Sequence, residues 1–159
     1  MAGLSQKERM LLNDQKSHEE MCIQKYTKYA NEATDPQLKQ LFNTHASHER
    51  QHLNTINQIM SGQVPNMSTQ GQQQSERQSG QQMGQQTGTM PGRTNQADLD
   101  LCHDMLMTEK YVSGSYDTVI FECADTNTRQ ALNHIQKEEQ QHGEDLFNYM
   151  QSHGGYQVQ

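Results

Sequence analysis

The chain is predicted to be all-α, a four-helix bundle built from two repeated helical hairpins joined by a long low-complexity crossover. Three observations predict this. Apolar residues recur at helical spacing in two segments, roughly residues 5–61 and 96–153. The stretch between them holds almost no apolar side chains. The two segments also repeat one another at a fixed offset of 90 residues, without a gap.

The first helix opens at Ser5, with Glu8 three residues later as a capping box. Leu12, Cys22, Ile23, Tyr26, Ala30 and Ala33 continue it on one face. Asp35-Pro36 ends that run and starts the second helix, Asp as the cap and Pro in the first helical position, where its missing N–H costs nothing. The second helix carries Leu38, Leu41, Phe42, Leu53, Ile56 and Met60 and closes at Gly62. Thr94 or Asn95 caps the third, which carries Leu101, Met105, Leu106, Val112, Tyr116 and Ile120. Asp125 marks the break before the fourth, with Leu132, Ile135, Leu146 and Met150 ahead of Gly154-Gly155.

Of the 159 residues only 31% are hydrophobic, against about 45–50% in a typical soluble domain. The deficit is concentrated in Ser61–Gln96, which contains eleven Gln, six Gly, four Ser, four Thr and one aliphatic residue, Val64. Such a composition cannot bury enough surface to offset its ordering entropy, so a flexible crossover is expected. The domain reading is therefore residues 1–61 as the first hairpin, 62–96 as the Gln/Gly-rich crossover and 97–159 as the second hairpin, the two hairpins forming one bundle. At ~3.3 Å per extended residue the crossover can run the ~40 Å length of a helix and reach either end of the third.

Net charge is −7 with no Lys/Arg run, so the chain lacks the counterion-release energy of nucleic-acid binding. No apolar run approaches the ~20 residues needed to span a bilayer. The first residues lack the apolar core of a signal peptide, and cytoplasmic synthesis is expected. Cys22, Cys102 and Cys123 are odd in number and have no C-x-x-C spacing, which excludes a disulfide framework or a four-thiolate knuckle. They lie at apolar positions and are expected to pack. Three of the ten Met, Met67, Met83 and Met90, lie in the crossover, where oxidation costs the fold little.

Between residues 11 and 60 the repeat preserves twelve identities, among them Glu19/Glu109, Tyr26/Tyr116, Asp35/Asp125, Glu49/Glu139 and His52/His142. Chance supplies about three at ordinary residue frequencies. A single E-x-x-H is weak, because many exposed helices carry one. Here Glu49-x-x-His52 recurs as Glu139-x-x-His142, and each copy follows a Glu thirty residues upstream, Glu19 or Glu109. One Glu from each of two helices plus E-x-x-H from each of the other two is the ligand set of ferritin-like dinuclear carboxylate bundles. The expected metal ligands are Glu19, Glu49, His52, Glu109, Glu139 and His142. Position 20 repeats as Lys110, so Glu19 rather than Glu20 is chosen; Glu19 also shares its face with Cys22, Ile23, Tyr26 and Ala30.

Four carboxylates crowded in a bundle centre repel one another and lose hydration, and two divalent cations cancel that charge. Without metal the cluster is expected to hold extra protons. Carboxylate and imidazole donors suit Fe, Mn or Zn, and spacing does not choose among them. Tyr26 and Tyr116, two turns beyond Glu19 and Glu109, are expected to hydrogen-bond ligand carboxylates, with plain core packing as the alternative. His45 repeats as Ile135 and is read as a partly buried helix residue. His18, His48, His103, His134 and His153 are read as solvated.

The second half, with Leu106-Met107-Thr108-Glu109-Lys110, Ser115-Tyr116, Glu122, Arg129, Ile135, Glu138-Glu139 and Met150 before Gly154-Gly155-Tyr156, resembles the Coat F domain of endospore-forming bacteria, a family similar to ferritin-like bundles. The likeness covers about 60 residues and extends to the first hairpin through the repeat. It implies a spore-coat-associated protein made in the mother cell, with other coat proteins as partners, and with no enzymatic activity established for the family. Relatives lacking the His of E-x-x-H are expected; this chain keeps both copies. By analogy with ferritin-like enzymes, Glu49 and Glu139 would bridge two metal ions, Fe or Mn. Glu19 with His52 would complete one ion and Glu109 with His142 the other.

The competing function is a di-iron or di-manganese oxidoreductase acting on O₂ or peroxide, like a rubrerythrin or a manganese catalase. No rubredoxin-like Cys pairs are present to deliver electrons. A storage cage is a third option, opposed by the composition of the crossover. A homodimer or higher assembly is expected. The Gln side chains of the crossover are further read as possible crosslinking sites to Lys in an assembled coat.

Overall fold

A computed structural model describes residues 3–65 and 95–156. Most of the crossover, 66–94, lies outside the described residues, so its composition-based reading is not addressed there. Four helices and no strand occur among the described residues. They are α1 (Gln6–Glu32), α2 (Pro36–Met60), α3 (Gln96–Glu122) and α4 (Thr126–Ser152). At the offset of 90, the bounds of α1 coincide with those of α3, and α4 begins where α2 does.

Each start has the physical cause its sequence implies. Ser5 Oγ accepts from the Glu8 N–H, and Glu8 Oε2 accepts from the Ser5 N–H at 2.7 Å, completing the capping box. Asp35 and Asp125 cap α2 and α4 by accepting from the Gln37 and Thr128 N–H groups, and Asn95 caps α3 by accepting from Ala97. After α2 and α4 the chain turns at Gly62 (φ 82°) and Gly154 (φ 72°), in the left-handed region that glycine enters without strain.

The helices pack as two hairpins, α1 with α2 and α3 with α4, joined face to face through α1 against α3 and α2 against α4. The α1–α3 pair is antiparallel: Lys7 meets Glu122 at 2.7 Å at one end, and Lys25 meets Asp104 at 2.8 Å nearer the other. The α2–α4 pair is antiparallel too, with His45 beside Asp145 and His52 beside Glu138. Consequently α2 and α3 run in the same direction. The end of α2 thus lies beside the α3–α4 turn, at the opposite end of the bundle from Asn95, whose side chain donates to Thr34 Oγ1 in the α1–α2 turn.

Two buried carboxylates fasten the hairpins at opposite ends. Glu8 Oε1 accepts from the Ala124 N–H (2.9 Å) in the α3–α4 turn. Asp98, its repeat-related counterpart, accepts from the Thr34 N–H, the Thr34 hydroxyl and the Asp35 N–H, each at 2.9 Å, in the α1–α2 turn. Each hairpin's first turn thus satisfies backbone donors of the other hairpin's turn. Asp98→Ala is expected to lower stability by about 1–3 kcal/mol, read as an equal shift of the urea midpoint by circular dichroism and fluorescence. An unchanged midpoint would mean that water serves these donors as well.

The interior is layered. One apolar cluster contains Tyr26, Leu38, Phe42, Met105, Leu146 and Met150; the other contains Leu12, Cys22, Ile56, Val112, Tyr116, Leu132 and Ile135. All three Cys are buried free thiols, as their apolar positions imply. Leu99, Cys102, Val119, Ile59, Ala131 and Tyr149 are additional core residues, whereas Ile23, Leu53 and Ile120 are only partly buried. No helix among the described residues is long and apolar enough to cross a membrane.

Candidate metal centre

Between the two apolar clusters lies a polar layer. Glu19 comes from α1, Glu49 and His52 from α2, Glu109 from α3, and Glu139 and His142 from α4; each is at most 2% exposed. The three-residue step of E-x-x-H sets carboxylate and imidazole on one face of a helix. The antiparallel pairing of α2 with α4 then brings the two copies together. Glu20, the rejected neighbour of Glu19, is exposed.

The six side chains form two overlapping groups, Glu19–Glu49–His52–Glu139 and Glu49–Glu109–Glu139–His142, each offering ligand atoms within 4.8 Å of one another. Atoms bound to one ion at about 2.0–2.2 Å stand up to about 4.4 Å apart, so each group nearly has the span of a coordination shell. Glu49 and Glu139 belong to both groups. Both imidazoles turn Nδ1 inward. That of His52 lies 3.2 Å from Glu49 and 3.4 Å from Glu139. That of His142 lies 3.1 Å from Glu49, 3.4 Å from Glu109 and 3.5 Å from Glu139. The donor chemistry fits divalent cations, because Glu19 Oε2, Glu109 Oε2 and both oxygens of Glu139 are buried with no hydrogen-bond partner.

Tyr26 donates its hydroxyl to Glu109, and Tyr116 donates to Glu19. Each phenol serves the carboxylate of the other hairpin, so the pair both orients the acids and ties α1 to α3. Both hydroxyls hold their protons far above the usual phenol range, through burial first and the facing carboxylates second.

Behind the imidazoles lies a layer the sequence reading missed. His52 Nε2 donates to Glu138 Oε2 at 2.6 Å, and His134 Nε2 lies 3.4 Å from the other Glu138 oxygen. His142 Nε2 lies 3.1 Å from His48 Nδ1. His48 and His134 are therefore not simply solvated: both are half-buried and engaged at the centre's edge. His45 is fully buried rather than partly so, stacked on His142 with ring centroids 4.1 Å apart and bonded through Nε2 to Asp145 at 3.1 Å. Of the remaining His, His103 is exposed, as expected.

The electrostatics follow from burial. Loss of hydration, reinforced by Glu49, pushes Glu19 up to about 8. Burial, then the neighbouring Glu139, also raises Glu109 well above its ordinary value. Burial alone would raise Glu49 too, but the His142 and His52 imidazoles outweigh it and hold that carboxyl low. The imidazoles respond in the opposite sense. Burial disfavours their charge, yet the surrounding carboxylates raise His52 well above its ordinary value and His142 to about 12.

Without a metal ion, then, Glu19, Glu109, His52 and His142 retain protons in the folded chain that they lose more readily when unfolded. Groups raised in the folded state contribute stability below their unfolded values, and that contribution is lost as pH rises through the folded ones. Metal-stripped protein is therefore expected to lose stability as pH rises from about 5 through the folded value of Glu19, about 8, and on towards that of His142, about 12. Loading with Mn²⁺ should release protons, read as a calorimetric enthalpy that varies with the buffer's ionisation enthalpy. A buffer-independent enthalpy would contradict this proton inventory.

Comparison with known proteins adds one finding. The model of a family described as the Coat F domain matches residues 97–159, which contain Glu109, Glu139 and His142. No curated protein and no solved structure matches the chain.

Proposed function

We propose, from the match of residues 97–159 to the Coat F domain, that the protein is a spore-coat-associated bundle carrying a dinuclear metal–carboxylate site of Fe or Mn. One observation carries the metal reading. Six buried side chains, duplicated at an offset of 90 residues, converge on two four-residue groups that share Glu49 and Glu139. The single long crossover between parallel α2 and α3 and the ligand set both match ferritin-like carboxylate bundles. Glu49 and Glu139 would bridge the ions, Glu19 and His52 would complete one shell, and Glu109 and His142 the other. In the coat, such a site would clamp the two hairpins together, since every helix supplies a ligand.

The coat reading is tested by immunogold labelling of sporulating cells. Label concentrated at the forespore surface during coat assembly supports it, and label spread through vegetative cells contradicts it. Other coat proteins, and a second copy of the chain, are the expected partners.

One feature favours oxidoreductase chemistry as the second reading. A groove of about 470 Å³ between α2 and α4 is lined by His52, Glu138 and His134 together with Ser47 and Arg50. Two bound ions would supply redox chemistry on O₂ or peroxide, and this groove gives a small oxidant a route to the edge of the centre. Peroxide disproportionation by Mn-loaded protein, lost in Glu139→Gln, supports that reading; an inert loaded protein leaves the structural role.

A further inference from the structure

The six residues of the centre obey the internal repeat, but the groups immediately behind them break it. His52 gives its outer Nε2–H to a carboxylate, Glu138, at 2.6 Å. The repeat-related position of Glu138 is His48, and there His142 Nε2 faces a ring nitrogen, His48 Nδ1, at 3.1 Å. An imidazole that binds a metal through Nδ1 keeps its proton on Nε2 and must donate it. His48 Nδ1 must then accept, which leaves that ring with its proton on Nε2 and no charge. His45, where the repeat has Ile135, covers the His142 ring but directs its own Nε2 to Asp145. One imidazole is thus backed by an anion and the other by a neutral ring.

Resting on the dinuclear reading, we propose that Glu138 and His48 make the two metal positions unequal. The Glu19–His52 position is the tighter and fills first, while the Glu109–His142 position is the weaker and exchanges. A carboxylate accepting the outer N–H makes the ligating imidazole more basic and adds negative charge beside the ion, and losing such a partner typically costs 10–100-fold in metal affinity. A neutral imidazole acceptor supplies the orientation without the charge. The centre then holds one resident ion and one that the surroundings can load or remove.

The test is calorimetric titration of metal-stripped, full-length protein with MnCl₂, with electron paramagnetic resonance recorded at one equivalent. Two steps separated by about tenfold or more are expected, with an uncoupled Mn²⁺ signal at one equivalent that gives way to a coupled pair at two. Glu138→Gln is expected to weaken the tighter step about 10–100-fold and leave the weaker one in place. His48→Glu is expected to tighten the weaker step, a gain that a damaged fold cannot produce. Two equal steps in the parent, or equal weakening of both steps by Glu138→Gln, would overturn the inference while leaving the dinuclear reading intact. Absence of any Mn²⁺ binding would overturn both.

Discussion

Adding Mn²⁺ or Fe²⁺ to chelator-stripped protein is expected to raise its thermal midpoint by about 10–30 °C. A ligand that binds only the folded state stabilises by about 2.7 kcal/mol at a concentration 100 times its dissociation constant and about 4.1 kcal/mol at 1,000 times. Two such ions contribute about 5–8 kcal/mol, and a chain of this size gains about 2–4 °C per kcal/mol. The gain has a structural source, because ligands come from all four helices and each hairpin supplies three of the six. Differential scanning calorimetry at rising metal concentration measures it. The same midpoint with metal and with chelator would mean that the buried acids hold no ion in the folded chain.

Glu139→Gln is expected to cost much more stability with metal bound than without it. Both Glu139 oxygens are buried without a hydrogen-bond partner, so in chelator the amide gives up no hydrogen bond, only the approach to the His52 and His142 rings at 3.4 and 3.5 Å. With metal present Glu139 belongs to both ligand groups, and the variant should lose most of the about 5–8 kcal/mol that two ions contribute. Paired urea melts with chelator and with Mn²⁺ give the two differences. A loss of the same size in both conditions would show that Glu139 serves the fold rather than a cation.

The extent to which this architecture was legible in the sequence follows from which features the repeat preserves. Helix starts were readable because capping is local. Ser5 with Glu8 and Asp35 with Pro36 each announce a cap within four residues, and both cap as expected; Asp125, read as the break before the fourth helix, proves to be its cap. The six inward acids and imidazoles were readable because duplication kept them in register while their neighbours diverged. It also separated Glu19, fully buried, from exposed Glu20.

What was missed lies where the copies differ or where contact is purely tertiary. His48 and Glu138 occupy matching positions with unlike side chains, so the repeat flagged neither, yet each backs an imidazole of the centre. Asp145, which receives His45, has Thr55 as its counterpart and carried no signal either. Glu8 and Asp98 do stand at the repeat offset, acid matched to acid, and that pairing was the available clue to their shared role in the opposite hairpin's turn. The direction of α3 relative to α2 was not legible, because a crossover of this length reaches either end.

The most direct test of the account is metal stoichiometry by equilibrium dialysis and elemental analysis, on the parent and on Glu49→Ala and Glu139→Ala. Two equivalents of Fe or Mn per chain, falling to one or none in either variant while the helical circular dichroism persists, is the predicted result. No bound metal in the parent, or two equivalents undiminished in the variants, would contradict a dinuclear centre bridged by Glu49 and Glu139.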